Sequence, residues 1–365
     1  MSGSRVREVA IPRLLHVGTG CLREVGPLLR DHDFDLAHVL VGSGPGPSRV
    51  LAEHVVAGLR AHDVRVRFVP DLTGSLAQAA DVAATIIEEA VTVAVAVGGG
   101  RALDTLKLAA ARTDVDFVSV PTAVSNDGIS SPVASLVDRD GVRASHAARM
   151  PAGIVVDVAA IGGAPAPTIL AGVGDLVSNL TAGLDWRLAD KRGHDRFDAY
   201  AAMIAEAAAR PALDLEEVRS PASHRVLAEG LLLSGLAMAA AGTSRPCSGA
   251  EHLISHVLDA QLGPRAALHG EQVALGTLIT AAAHESPLLE TLRRLYSRLG
   301  LPVCPADLGL THDEVVDAVL AAPGIRPDRW TILSRKRFGR RSTVAELVER
   351  ALVDVPATPV GRLAS

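Results

Sequence analysis

Between Ser248 and Gln272 the chain reads SGAEHLISHVLDAQLGPRAALHGEQ, which places three histidines, His252, His256 and His269, within eighteen residues. A helix would set His252 and His256, four apart, on one face. His269 follows a Gly-Pro break. Upstream, AGVGDLVSNLTAGLDW (171–186) offers Asp175 after Gly-Val-Gly. One carboxylate and two imidazoles are a ligand set that holds zinc with a coordination position left open for water or substrate. Singly, each residue has a plainer role: Asp175 as the cap of a helix that begins there, the histidines as solvated side chains. Spacing alone leaves both readings open, because the ligands would come from separate helices.

Two further stretches carry chemistry. In VAVAVGGGRALDTLK (93–107) an apolar strand runs through Gly98, Gly99 and Gly100 into a helix. Such a turn lets the backbone approach a pyrophosphate while the helix N-terminus favours its charge. The pattern is neither GxGxxG nor a Walker loop, and a tight strand-to-helix turn would explain it as well. Asp104 and Lys107, one turn apart, fit a simple helix ion pair. Lys107 is nonetheless one of only three lysines in an arginine-rich chain, so its place beside the turn marks it as a cofactor contact. In VPTAVSNDGISSPVAS (120–135), Thr122, Ser125, Asp127 and Ser131 follow a strand end, where open α/β sheets bind ligands. Asn-Asp-Gly is also ordinary turn chemistry.

These groups need elements to position them. From residue 37 to 123 short β-rich runs alternate with helical patterns, which implies a parallel sheet covered by helices. Beyond about residue 160 the β-runs vanish and Ala/Leu segments follow at 168–190, 197–209, 222–242, 249–260 and 268–283. The expected fold is therefore a Rossmann-like α/β nucleotide-binding domain over residues 1–160 and an all-α domain over 161–365, with a ligand cleft between them. The 365 residues are 48% hydrophobic but only 2% aromatic, so Ala, Val, Leu and Ile must build the core. A net charge of −5 leaves no footprint for nucleic acid, and RKRFGRR (335–341) reads as a solvated loop. Cys21, Cys247 and Cys304 form no CxxC pair and suit a reducing cytoplasm. The first residues have no apolar signal region, no run is long enough for a membrane span, and the tail after Leu352 reads as a loose terminus.

Taken together, GGGRALDTLK, PTAVSNDGISSPVAS, MPAGIVVD, GVGDLVSNLTAGLDW, SGAEHLISH, HGEQVALGT and IRPDRWTIL resemble the superfamily of iron-containing alcohol dehydrogenases, glycerol dehydrogenases and dehydroquinate synthases. Within it the likeness is greatest to the sn-glycerol-1-phosphate dehydrogenase family. The resemblance spans roughly residues 95 to 333. It implies a dehydroquinate synthase-like fold and metal ligands at Asp175, His252 and His269. The iron-dependent branch has a further His four residues after its Asp; Asn179 stands here, which implies zinc. It implies NAD(P)H contacts at Gly99, Gly100, Asp104, Thr122, Ser125 and Ser131, and substrate contacts at Asp127, Asp175 and His256. His256 would be a substrate contact or proton donor rather than a fourth ligand.

The activity so implied is zinc-dependent reduction of dihydroxyacetone phosphate to sn-glycerol 1-phosphate, in a homo-oligomer. VGSGPGPS (41–48) holds no acidic residue to repel a 2′-phosphate, so NADPH is expected beside NADH. Competing readings are a polyol dehydrogenase acting without phosphate, a sugar-phosphate cyclase, which the scarcity of lysine disfavours, and a non-catalytic binding protein, which the intact ligand set disfavours.

Overall fold

The computed structural model describes residue 9 and residues 11–141 and 143–352. The tail from Val353, and residues 1–8 and 10 of the N-terminal stretch that was read for a signal segment, lie outside the described residues. The chain divides into two compact units, one running through Ala164 with Met238–Gly242, the other comprising Pro165–Ala237 and the chain from Thr243 onward.

The first unit contains β1 (Leu14–Gly18), α1 (Val25–Asp31), β2 (Val39–Ser43), α2 (Pro47–Arg60), β3 (Val66–Val69), α3 (Leu76–Glu88), β4 (Val93–Gly98), α4 (Gly100–Thr113), β5 (Asp116–Pro121), β6 (Val133–Val137), β7 (Arg143–Ala147), β8 (Gly153–Asp157) and α5 (Val158–Gly162). Six strands form a parallel sheet in the order β1-β8-β5-β4-β2-β3, and β6 pairs with β7 as an antiparallel hairpin. The Val/Ala run of β4 is buried along its whole length, as a central parallel strand covered on both faces requires. Its odd positions, Val93, Val95 and Val97, join Val39 and Val41 of β2 in a cluster with Leu29 of α1 and Val55 and Leu59 of α2. From β2 the chain moves outward to β3, then returns to place β4 on the other side of β2. The strand order therefore reverses between β2 and β4, and the crevice beyond their carboxyl ends is where open α/β sheets take a ligand.

Alternation located β2 through β5 and their helices within a few residues. It missed β1 and the β6–β7 hairpin. The hairpin sequences VASLV and RASHA are short and rich in Ser, Ala and charge, so β-propensity gives little warning of them.

The second unit is helical: α6 (Ala166–Val177), α7 (Asn179–Lys191), α8 (Ala199–Ala209), most of α9 (Pro221–Ala241), α10 (Ala250–Leu262), α11 (His269–Ala283), α12 (Leu288–Leu299), α13 (His312–Ile325) and α14 (Arg341–Ala351). The segment expected as one helix from 168 to 190 is broken at Ser178, whose hydroxyl donates to Asp175 O at 2.7 Å. Asp175 accordingly lies in the last turn of α6 and does not cap a helix start, as Gly-Val-Gly had suggested. Gly172 and Gly174 are inside the helix, where lack of a side chain serves packing. A Cβ on Gly174 would sit 2.2 Å from Gly270 O, and one on Gly270 only 1.9 Å from Ala171 O, so α6 and α11 touch backbone to backbone. A Cβ on Gly276 would sit 2.8 Å from Glu251 O, so α11 also packs closely on α10. Among the described residues no helix is long and apolar enough to cross a membrane.

Gly270→Ala forces α6 from α11 and is expected to lower unfolding stability by about 1–3 kcal/mol, the usual cost of overpacking. Gly183→Ala on α7 meets nothing within 4 Å and should gain roughly 0.5–1 kcal/mol from the better helix former. Urea unfolding of the two variants beside the unsubstituted chain checks both signs.

Candidate metal and dinucleotide sites

In the first unit the turns after β2 and β4 come together. A Cβ on Gly98 would meet Ala102 Cβ at 2.9 Å and Gly44 N at 3.2 Å, so only glycine allows this approach. Gly99, at the N-cap of α4, is extended, has no side-chain cap, and would add its Cβ into open space. Gly100 opens the helix. Thr122 N donates to Gly98 O at 3.0 Å, and Thr122 Oγ1 lies 3.0 Å from Ser48 Oγ. Glycine backbone at a fourteen-residue helix N-terminus, flanked by two hydroxyls at the switch point of the sheet, suits a pyrophosphate. Ser48 escaped the sequence reading; its signal was the second glycine turn, GSGPGPS.

Lys107 departs from expectation. Its Nζ is buried (1% exposed) and donates to Asp104 Oδ1 at 2.9 Å, Gly128 O at 2.7 Å and Val133 O at 2.9 Å. An ammonium has three donors, and all three are used inside the unit. Lys107 therefore braces the Asp127–Val133 loop instead of reaching a cofactor. Asp104 takes part in the same brace, its Oδ2 accepting from Ser135 N at 3.0 Å. In that loop Asn126 Oδ1 accepts from Gly128 N at 2.9 Å. Asp127 opens a short 3-10 turn, and its carbonyl accepts from the amides of Ser130 and Ser131. Ser125 is half-buried, and the buried Ser131 turns its hydroxyl to Val133 O at 3.4 Å.

In the second unit three helices bring Asp175, His252 and His269 into one cluster. The Nε2 atoms of His252 and His269 lie 3.5 and 3.6 Å from Asp175 Oδ1. Among the described residues this is the group whose ligand atoms all fall within 4.8 Å of one another. Two ligands about 2.1 Å from a tetrahedral zinc would be about 3.4 Å apart, so the spacing fits. The outward nitrogens fit too. Glu251, fully buried, accepts from His252 Nδ1 at 3.1 Å through Oε1 and from Thr181 Oγ1 at 3.1 Å through Oε2. His269 Nδ1 is 3.0 Å from Ser255 Oγ, whose hydrogen goes to Gln272 Oε1 at 3.4 Å, leaving the oxygen to accept. Gln272 is itself held by Asp259 and Ala267 O at 2.9 and 2.8 Å. With the protons on Nδ1, both Nε2 lone pairs converge on Asp175, the orientation that metal-binding histidines take from such partners. Burial opposes a charge on His252, while Asp175 and Glu251 favour one; the balance lifts its pKa to about 10. The field at this point favours a cation.

His256 stands one turn along α10, its ring centroid 6.0 Å from that of His269. Burial and the positive charges of His269, His252, Arg326 and Arg329 push its pKa down to about 3. It is a neutral imidazole at physiological pH, outside the ligand cluster. Asn179 is buried and donates to Ala205 O at 3.1 Å and Ser234 Oγ at 2.9 Å, so the residue in the place of the fourth ligand of iron enzymes is a helix-packing group. Sequence reading also missed Asp185, fully buried, which accepts from Ala250 N and Ile332 N, both at 2.7 Å, and from His284 Nε2 at 2.8 Å. It ties α7 to the start of the helix that carries His252.

The family model described as iron-containing alcohol dehydrogenase matches residues 16–165. A protein of Methanosarcina barkeri, named glycerol-1-phosphate dehydrogenase using NAD(P)+, is 36% identical over 343 residues, 93% of this chain and 94% of its own. One of the same name from Aeropyrum pernix is 37% identical over 342 residues, covering 92% and 96%. The chain belongs to the glycerol-1-phosphate dehydrogenase family. Solved structures agree on the fold: a probable glycerol dehydrogenase of Sinorhizobium meliloti (TM-score 0.74, 22% identity, 95% of this chain and 98% of that one) and a maleylacetate reductase of Agrobacterium tumefaciens (TM-score 0.75, 18% identity, 96% and 99%).

Two outcomes are expected. Ser255→Ala or Glu251→Gln should weaken zinc affinity by about 10–100-fold, the usual effect of removing an outer partner, as read by competition with a chromophoric chelator. Lys107→Met leaves Asp104 buried without its cation and should cost about 3–5 kcal/mol, as read by thermal or urea unfolding.

Proposed function

We propose that the protein catalyses NAD(P)H-dependent reduction of dihydroxyacetone phosphate to sn-glycerol 1-phosphate, reversibly, with a zinc ion held by Asp175, His252 and His269. The observation that carries the reading is the convergence of the two oriented Nε2 atoms on Asp175 in a chain more than a third identical to glycerol-1-phosphate dehydrogenases along nearly its whole length. When bound, the cation supplies Lewis-acid polarisation of the substrate carbonyl and takes up charge on its oxygen, and the reduced nicotinamide supplies the hydride.

The chain's own residues do the rest. Gly99 and Gly100 give the pyrophosphate a backbone approach and the α4 N-terminus, and Thr122 and Ser125 line the same strand end. Asp104 and Ser131 hold the shape of the loop behind them. Asp127 accepts hydrogen bonds from substrate hydroxyl, as does the second carboxylate, Asp175. His256, neutral, offers an N–H to the substrate oxygen, and the proton that completes the alcohol passes from a water held beside the ring. The turn after β2 carries no acidic side chain, so NADPH is accepted with NADH. The reading extends to a cytoplasmic enzyme assembled as a homo-oligomer.

The test is consumption of NADH and NADPH with dihydroxyacetone phosphate, beside unphosphorylated dihydroxyacetone. Turnover with the phosphate and sn-glycerol 1-phosphate as product are expected. Equal turnover of dihydroxyacetone would replace the reading with a polyol dehydrogenase. His256→Ala should keep the zinc and lose about 10-fold in kcat/KM, the worth of a neutral hydrogen bond; loss of the zinc instead would show that the ligands were misassigned.

A further inference from the structure

IRPDRWTIL (325–333) contributes two arginines that the site so far does not use. Arg329 is buried (5% exposed), and its Nη1 and Nη2 donate to Ser248 O at 2.6 Å and Ser244 Oγ at 2.8 Å. The guanidinium is thereby fixed against the chain entering α10. It makes no ion pair among the described residues. Arg245, equally buried, differs in this respect: Asp195 Oδ2 stands 2.5 Å from its Nε. Arg326 follows the end of α13, which packs on α10. Among the described residues its ion pair is with Asp328 at 3.6 Å, and both side chains are open to water, 42% and 75% exposed. Such a pair contributes little and leaves the fork available. Glu314 at the start of α13 lies 4.0 Å from Arg265 just after α10, so the two packed helices run antiparallel and bring Arg326 and Arg329 to the end of α10 that carries His252.

A buried guanidinium with no carboxylate in contact with it is costly to hold, and a bound anion would offset that cost. The planar fork matches the oxygens of a phosphate. Arg265, the arginine nearest in sequence to His269, is 70% exposed and 4.0 Å from Glu314. We infer that Arg326 and Arg329 form the subsite for the phosphate of the substrate, Arg326 contacting its oxygens and Arg329 supplying fixed positive charge behind it. The inference rests on the reading of a phosphorylated ketone as substrate.

Arg326, being exposed, is the residue to vary. Arg326→Gln should raise KM for dihydroxyacetone phosphate by about 10–100-fold, the worth of a charged hydrogen bond, with kcat changed far less. Inhibition by inorganic phosphate should weaken by a similar factor, and Arg326→Lys should recover part of both. Zinc content, measured alongside, verifies that the site is intact. If the unsubstituted protein prefers the phosphorylated ketone but Arg326→Gln leaves KM and phosphate inhibition unchanged, the subsite is elsewhere and this inference alone falls. If the unsubstituted protein uses both ketones equally, the reading of the substrate falls and takes the inference with it.

Discussion

Two glycines set the distance on which the cluster of Asp175, His252 and His269 depends. A methyl group on Gly270 would lie 1.9 Å from Ala171 O, and one on Gly174 would lie 2.2 Å from Gly270 O. Each is the chain neighbour of a cluster residue: Gly174 of Asp175, and Gly270 of His269. An aspartate has a single methylene between backbone and carboxylate, so it reaches a histidine on the next helix only where the backbones nearly touch. Gly276 does the same for the third member, pressing α11 against Glu251, the neighbour of His252. The helices are thus held at a separation chosen by absent side chains, and the ligand spacing of about 3.5 Å follows from it.

Close packing alone would leave buried polar atoms exposed to the desolvation cost of an apolar interior. The surrounding helices satisfy them in chains. Glu251 is held by Thr181 and orients His252; Gln272 is held by Asp259 and orients Ser255, which orients His269. Asp185 fixes the first turn of α10 on which His252 sits. Networks of this kind specify one arrangement, because any other leaves a buried donor or acceptor unmet. The first unit uses the same device around Lys107, a buried cation whose three bonds shape the Asp127–Val133 loop.

The sequence made some of this readable and hid the rest for physical reasons. Valine runs ending in glycine reported the buried parallel strands, since a strand covered on both faces must be apolar throughout. The i, i+4 spacing of His252 and His256 was local and legible; the meeting of Asp175 with His252 and His269 is a contact across three helices, and resemblance, not periodicity, pointed to it. Gly-Val-Gly before Asp175 looked like a turn because glycine's tolerance of turns is a local property, whereas its use in helix contact depends on the partner. Lys107 was misread for the same reason: rarity marked it, but only the fold shows that the carbonyls of Gly128 and Val133 accept its hydrogen bonds. Asp185, Glu251 and Ser255 gave no signal, being ordinary polar residues until neighbouring helices surround them.

The most direct test of this account is zinc stoichiometry, measured by elemental analysis after chelation and dialysis against dilute zinc. The full chain should take up one zinc per polypeptide, and a chain with Asp175→Ala, still folded by circular dichroism, should take up none. Failure of the unsubstituted protein to bind zinc, or retention of a full equivalent without the Asp175 carboxylate, would contradict it.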